Sequence, residues 1–149
     1  MREKIEGIIF DWVGTLYQFD GKGLFTYSEM VLRELKPRCR MSLVSKTAFD
    51  NIENRNRQIN IVRKYFKEVI VGVDKDRDKF LVCMRKMHTK PRNTLVVDDR
   101  VDGGIVIGNK LGCKTAWIQQ GNYANITPLN ETEEPTYKIN SVEDLLTIL

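Results

Sequence analysis

The sequence predicts a three-layer α/β/α fold, doubly wound around a mostly parallel five-stranded sheet. Short runs rich in Ile, Val and Leu recur along the 149 residues and alternate with segments of helical periodicity, the order that places helices on both faces of a parallel sheet. The apolar runs are near-continuous rather than alternating, as strands covered on both faces require. Three of them lead directly into polar or acidic residues, Phe10 into Asp11, Val44 into Ser45 and Val97 into Asp98-Asp99. Ligands of open α/β sheets bind at such carboxyl ends.

Ile5 to Phe10 reads as the first strand, and Ser28 then caps a short helix that carries Met30, Val31, Leu32 and Leu35 and stops at Pro37. Met41 to Ser45 is the second strand. Phe49, Ile52, Ile59, Val62 and Phe66 mark a helical stretch interrupted by the polar run Glu53 to Gln58, and Glu68 to Gly72 is the third strand. From Asp76 to His88 a helix sets Phe80, Leu81, Met84 and Met87 on one face, a core stripe. Thr94 to Val97 is the fourth strand, Ile105 to Leu111 a helix closed by Gly112, and Thr115 to Ile118 the fifth strand. Asn122 to Pro135 is a polar loop, Tyr137-Lys138-Ile139 has the makings of a short edge strand, and Ser141 to Asp144 opens a last helix with Leu145, Leu146 and Leu149.

This length suits one domain, residues 1–149, with one core. At 42% hydrophobic and 30% charged residues the composition is globular, and no apolar run approaches a membrane span. Met1-Arg2-Glu3-Lys4 lacks the features of a secretory signal, so a cytoplasmic address is expected. Cys39, Cys83 and Cys113 are odd in number and far apart, with His88 the only histidine, which argues for reduced thiols rather than metal ligands. The net charge of +4 gathers around Arg55, Arg57, Arg63 and Lys64 and again from Arg85 to Arg92. Without interleaved aromatic residues these are solvated helix faces, and a nucleic-acid partner is disfavoured.

The segment Asp11-Trp12-Val13-Gly14-Thr15-Leu16 resembles the first motif of the haloacid dehalogenase (HAD) superfamily, Asp-x-Asp-Gly-Thr-Leu/Val. The resemblance implies that Asp11 is a nucleophile, that Gly14 and Thr15 line the substrate loop, and that Val13 stands where a general acid/base Asp is usual. Ser45 then resembles the second motif, whose hydroxyl grips a phosphoryl oxygen, with Lys46 beside it. Lys75 and Lys79 both qualify for the third-motif lysine; Lys75, five residues before the core residue Phe80, is preferred. Asp98-Asp99 resembles the acidic fourth motif, which implies Mg²⁺ held by Asp11, the Val13 carbonyl and Asp99, with Asp102 as an outer ligand in a shifted register. The choice among Asp98, Asp99 and Asp102 stays open at this point. Gly112 to Ile118 and Gly121 to Asn125 resemble the closing strand and loop of the same phosphatases.

Family members insert cap modules after the first motif or between the second and third. Only about thirty residues separate Asp11 from Ser45, and no more separate Ser45 from Lys75, so no substantial cap is expected. An open crevice suits large or macromolecular phosphorylated substrates, or a small cap lent by another subunit in a homodimer, and a phosphorylated substrate, small-molecule or macromolecular, is the expected partner. The resemblance thus implies an Mg²⁺-dependent phosphohydrolase working through an aspartyl phosphate on Asp11. Valine neither gives nor takes a proton, so its acid/base chemistry is altered or weak. Two alternatives are a catalytically weak domain that binds a phosphorylated ligand or protein, and a nucleic-acid end-processing phosphatase.

Overall fold

The computed structural model describes residues 4–149; Met1, Arg2 and Glu3 of the charged opening segment lie outside the described residues. Six strands, β1 (Gly7–Phe10), β2 (Arg40–Lys46), β3 (Glu68–Gly72), β4 (Thr94–Asp98), β5 (Lys114–Ile118) and β6 (Tyr137–Ile139), form one sheet in the order β3-β2-β1-β4-β5-β6. Every neighbouring pair is parallel. The expected count of five is therefore corrected to six. Ala116 to Ile118 would otherwise be an open edge with unpaired backbone groups, and Tyr137 to Ile139 pairs with them in register.

Successive residues of β1 point to opposite faces, and each face has its own core. Ile8 and Phe10 pack with Leu32 and Leu35 of α1 (Ser28–Leu35) and Leu145 of α5 (Leu145–Ile148). Ile9 packs with Val96 and with Phe80, Cys83, Met84 and Met87 of α3 (Arg77–Met87), flanked by Ile107 and Leu111 of α4 (Val106–Leu111). This period of two is what a strand between two helical layers demands. α3 is capped by Asp76, whose carboxylate accepts from the Lys79 N–H at 3.0 Å.

Two local expectations are corrected. The polar run Glu53 to Gln58 does not interrupt a helix but makes most of one, α2 (Ile52–Ile59), while Phe49 before it is 80% exposed. This helix needs only a narrow apolar stripe, and its polar side chains are partly engaged: Gln58 accepts from Trp12 Nε1 at 3.2 Å. Ser28 does not cap α1 either. It is the first helical residue, buried, and donates to the Leu16 carbonyl at 2.7 Å, tying the helix to the loop after β1.

The three cysteines are free and buried. Burial pushes the Cys83 and Cys113 thiols up to about 12 and raises Cys39 as well. Thiolate, the reactive form, is therefore scarce at mildly alkaline pH. The expected result is negligible labelling by a disulfide reagent in the native protein and labelling of all three in denaturant; fast native labelling would contradict the packing. No helix among the described residues is long and apolar enough to cross a membrane.

Candidate active site

The strand order reverses between β1 and β4, and the chain there leaves two carboxyl ends side by side. The Asp11 N–H donates to the Val97 carbonyl at 3.0 Å, which fixes Asp11 at the mouth of that switch point. The chain then turns tightly, because the Trp12 carbonyl accepts from the N–H groups of Thr15, Leu16 and Tyr17 at 3.1, 2.9 and 3.0 Å. Gly14 sits in this turn at φ +84°, and a Cβ there would lie 2.3 Å from Asp99 Oδ2. Only glycine accommodates both the dihedral and the approach.

Asp11, Asp98 and Asp99 each offer a carboxylate oxygen within 4.8 Å of the others. Lys75, from the loop between β3 and α3, bridges two of them, with Nζ donating to Asp11 Oδ1 at 2.8 Å and Asp98 Oδ2 at 3.2 Å. Burial opposes the Lys75 charge, but Asp11 and Asp98 outweigh it and raise its pKa above the usual 10.5. Asp98 is further held by the N–H groups of Arg100 at 3.1 Å and Gly104 at 2.7 Å. Burial again disfavours its charge, yet Lys75, Asp99 and these N–H groups hold it below the usual 3.8. Burial and Asp98 raise Asp11, against the pull of Lys75. Asp99, without a cation of its own, is pushed up to about 10 by burial and by Asp11 and Asp98. Its Oδ2 is buried with no hydrogen-bond partner.

The donor set fits a hard divalent cation. It consists of carboxylate oxygens only, at the carboxyl ends of two adjacent strands, and one of those oxygens has lone pairs that nothing in the protein uses. Asp98 accepts three of the hydrogen bonds at the cluster and Asp11 two, from Lys75 and Thr15, whereas Asp99 Oδ2 accepts none. Lys75→Met is expected to leave the buried carboxylates unpaired and to cost about 3 kcal/mol of unfolding free energy. The sign with pH follows from the carboxylates: the loss is full where they are ionised and shrinks as acid protonates them. Urea titrations at neutral and acidic pH check this, and an unchanged midpoint at neutral pH would contradict it.

The crevice over this cluster has a volume of about 480 Å³. Val13, Lys46, Asp74, Arg100 and Asp102 line it together with Asp11, Lys75, Asp98 and Asp99. Thr15 is buried beneath it and donates to Asp11 Oδ2 at 3.3 Å. Ser45 is buried at the end of β2 and does not itself line the crevice, whereas its neighbour Lys46 does. Lys79 is placed away from the cluster, paired with Asp74 and, at 3.2 Å, with Asp76. Asp102 lies on the rim, paired with Arg100 at 2.8 Å and outside the carboxylate cluster, where Asp98 stands instead. Residues not assigned to the site from the sequence complete the walls: Phe19 against Tyr123, ring centroids 6.0 Å apart, and Arg100 4.3 Å above the Tyr123 ring. Arg55 of α2 also reaches the site, donating to Ser45 Oγ and to the Lys46 carbonyl. Neither the aromatic wall nor Arg55 has a local sequence signal, since each depends on which loops and helices the fold brings together.

Fold and site thus define a doubly wound α/β protein with an acidic crevice, a lysine clasped between two of its carboxylates and a tight glycine turn at the switch point. The HAD-hydrolase-like family model matches residues 77–145. A glyceraldehyde 3-phosphate phosphatase of Methanopyrus kandleri is 30% identical over 93 residues, which are 59% of this chain and 40% of that protein. The chain therefore spans well under half the length of this curated relative. Among solved structures, the HAD phosphatase of Thermococcus onnurineus superposes with a TM-score of 0.75 at 12% identity, covering 97% of each chain. The HAD-hydrolase YfnB of Bacillus subtilis, solved bound to magnesium, gives 0.70 at 18% identity over 87% of this chain and 57% of that one. The chain thus shares its fold with these haloacid dehalogenase-like structures, and its residues 77–145 match the HAD-hydrolase-like family model.

Proposed function

We propose that the protein is an Mg²⁺-dependent phosphohydrolase of phosphorylated small molecules, and that Asp11 is its nucleophile. The carrying observation is the cluster in which Lys75 clasps Asp11 while Asp99, at the same crevice, keeps a buried oxygen without a partner. In this reading the Asp11 carboxylate attacks phosphorus, the bond to the leaving oxygen breaks, and an aspartyl phosphate forms. Water then attacks that phosphorus, releasing inorganic phosphate and restoring the carboxylate. Lys75 and the Ser45 hydroxyl grip the phosphoryl oxygens, with the Gly14-Thr15 turn and Lys46 completing the binding loop; Lys79, engaged with Asp74 and Asp76, is left out of that set. Mg²⁺ would be held by Asp11 and Asp99, with the Val13 carbonyl at the same loop, and when bound it offsets the negative charge shared by nucleophile and phosphate. Asp102, tied to Arg100, is not needed for this set.

Between β1 and α1 the chain makes only a small loop closed by bridges from Tyr17 to Val13 and Leu24. Between β2 and β3 it makes α2 and two short turns. We read residues 4–149 as one domain with no cap inserted at either of these two points, its crevice open to substrate. The M. kandleri relative supports a phosphorylated metabolite as the substrate class.

The test is hydrolysis of acetyl phosphate and an aryl phosphate by the full chain, with Mg²⁺ and after chelation. Turnover that needs Mg²⁺ supports the reading. No turnover, with the protein folded and the metal bound, would replace it by a domain that binds phosphorylated ligands without acting on them.

A further inference from the structure

Ser45 is 1% exposed, and its oxygen accepts from Nη1 of Arg55, which also donates to the Lys46 carbonyl at 3.2 Å. The guanidinium is a pure donor. It occupies a lone pair of Ser45 Oγ and cannot receive the hydroxyl proton, and among the described residues Ser45 Oγ donates to no protein acceptor. A buried hydroxyl with an unused proton calls for an acceptor from outside the chain. Arg55 carries a second unmet donor, its Nε, which is buried without a partner. Arg55 and Asp11 also bear opposite charges close enough to attract, so this side chain adds positive potential to the side of the nucleophile facing β2.

Resting on the phosphoryl reading of the crevice, we propose that Arg55 is a positioning residue for phosphate recognition. By filling one of the two lone pairs of Ser45 Oγ it turns the hydroxyl proton away from the guanidinium and biases it to donate to an anionic oxygen, and by holding the Lys46 carbonyl it fixes the strand end from which Lys46 enters the crevice. Arg55 and Ser45 then form one unit, and loss of either loses the function of both. An arginine that merely tied α2 to β2 would leave anion affinity to Ser45 alone.

The experiment is calorimetric titration of the full chain with inorganic phosphate in the presence of Mg²⁺. Arg55→Ala and Ser45→Ala are each expected to weaken binding about tenfold, the size of a lost hydrogen bond to a charged group. The double variant is expected to bind no more weakly than either single one. Millimolar methylguanidinium should restore Arg55→Ala but not Ser45→Ala. Arg55→Lys should recover only part of the affinity, because an ammonium lacks the fixed fork that spans Oγ and the carbonyl; it also carries the test if Arg55→Ala fails to fold. Wild-type affinity in Arg55→Ala, losses that multiply in the double variant, or no phosphate binding by the wild type would each overturn the proposal. Turnover judges the hydrolase reading separately: a protein that binds phosphate through Arg55 but hydrolyses nothing upholds this proposal and overturns that reading.

Discussion

Asp11→Asn is expected to abolish Mg²⁺-dependent hydrolysis of an aryl phosphate, a loss of about 10⁴-fold or more when a nucleophile is removed. The amide keeps the size and one acceptor of the carboxylate, so Lys75 and Thr15 retain a partner on residue 11 while the attacking charge is gone. The variant should stay folded, and the direction of its stability change can be stated. Burial and Asp98 raise the Asp11 pKa above 3.8, so ionising it costs the folded state as pH rises through that range. Removing the charge relieves this cost, and the variant should gain on the wild type as pH rises above the ordinary carboxylate value. Single-turnover kinetics and thermal unfolding over that range check both parts. Residual Mg²⁺-dependent turnover in a folded variant would move the nucleophile elsewhere.

Leaving-group chemistry carries the second large effect. Val13 lines the same crevice as Asp11 and has no proton to donate. General acid catalysis supplies roughly 10²–10⁴-fold, and that is the expected deficit of an alkyl phosphate against an aryl or acyl phosphate, whose leaving oxygen departs without protonation. A simple alkyl phosphate is the natural comparator. Val13→Asp is expected to raise its kcat/KM by a similar factor while changing aryl phosphate hydrolysis little. Comparable wild-type rates on both substrate classes would show that another group on the crevice wall delivers the proton.

Much of this architecture was legible in the chain because parallel strands buried on both faces announce themselves as apolar runs. Asp11, Ser45 and Asp98-Asp99 stand at the ends of such runs, but their selection as site residues, and that of Lys75, rests on the resemblance to haloacid dehalogenase motifs. What misled was the edge. β6 is three residues long and one of them, Lys138, is exposed, so its assignment rests on the unpaired side of β5 rather than on its own pattern. α2 misled because a helix with a narrow buried stripe has a polar sequence that reads as an interruption.

The order of strands and helices, the glycine turn after Asp11 and the substitution of Val13 for an acid are properties of the sequence by itself, because backbone dihedrals and apolar periodicity act over neighbouring residues. Tertiary structure decided the rest: that Lys75 rather than Lys79 reaches Asp11, that Asp98 rather than Asp102 joins Asp11 and Asp99, and that Arg55 closes on Ser45. Those choices turn on separations of a few ångström between strand ends and loops distant in the chain. Coulomb attraction and desolvation over such distances depend on where the fold places each charge, not on its spacing along the sequence.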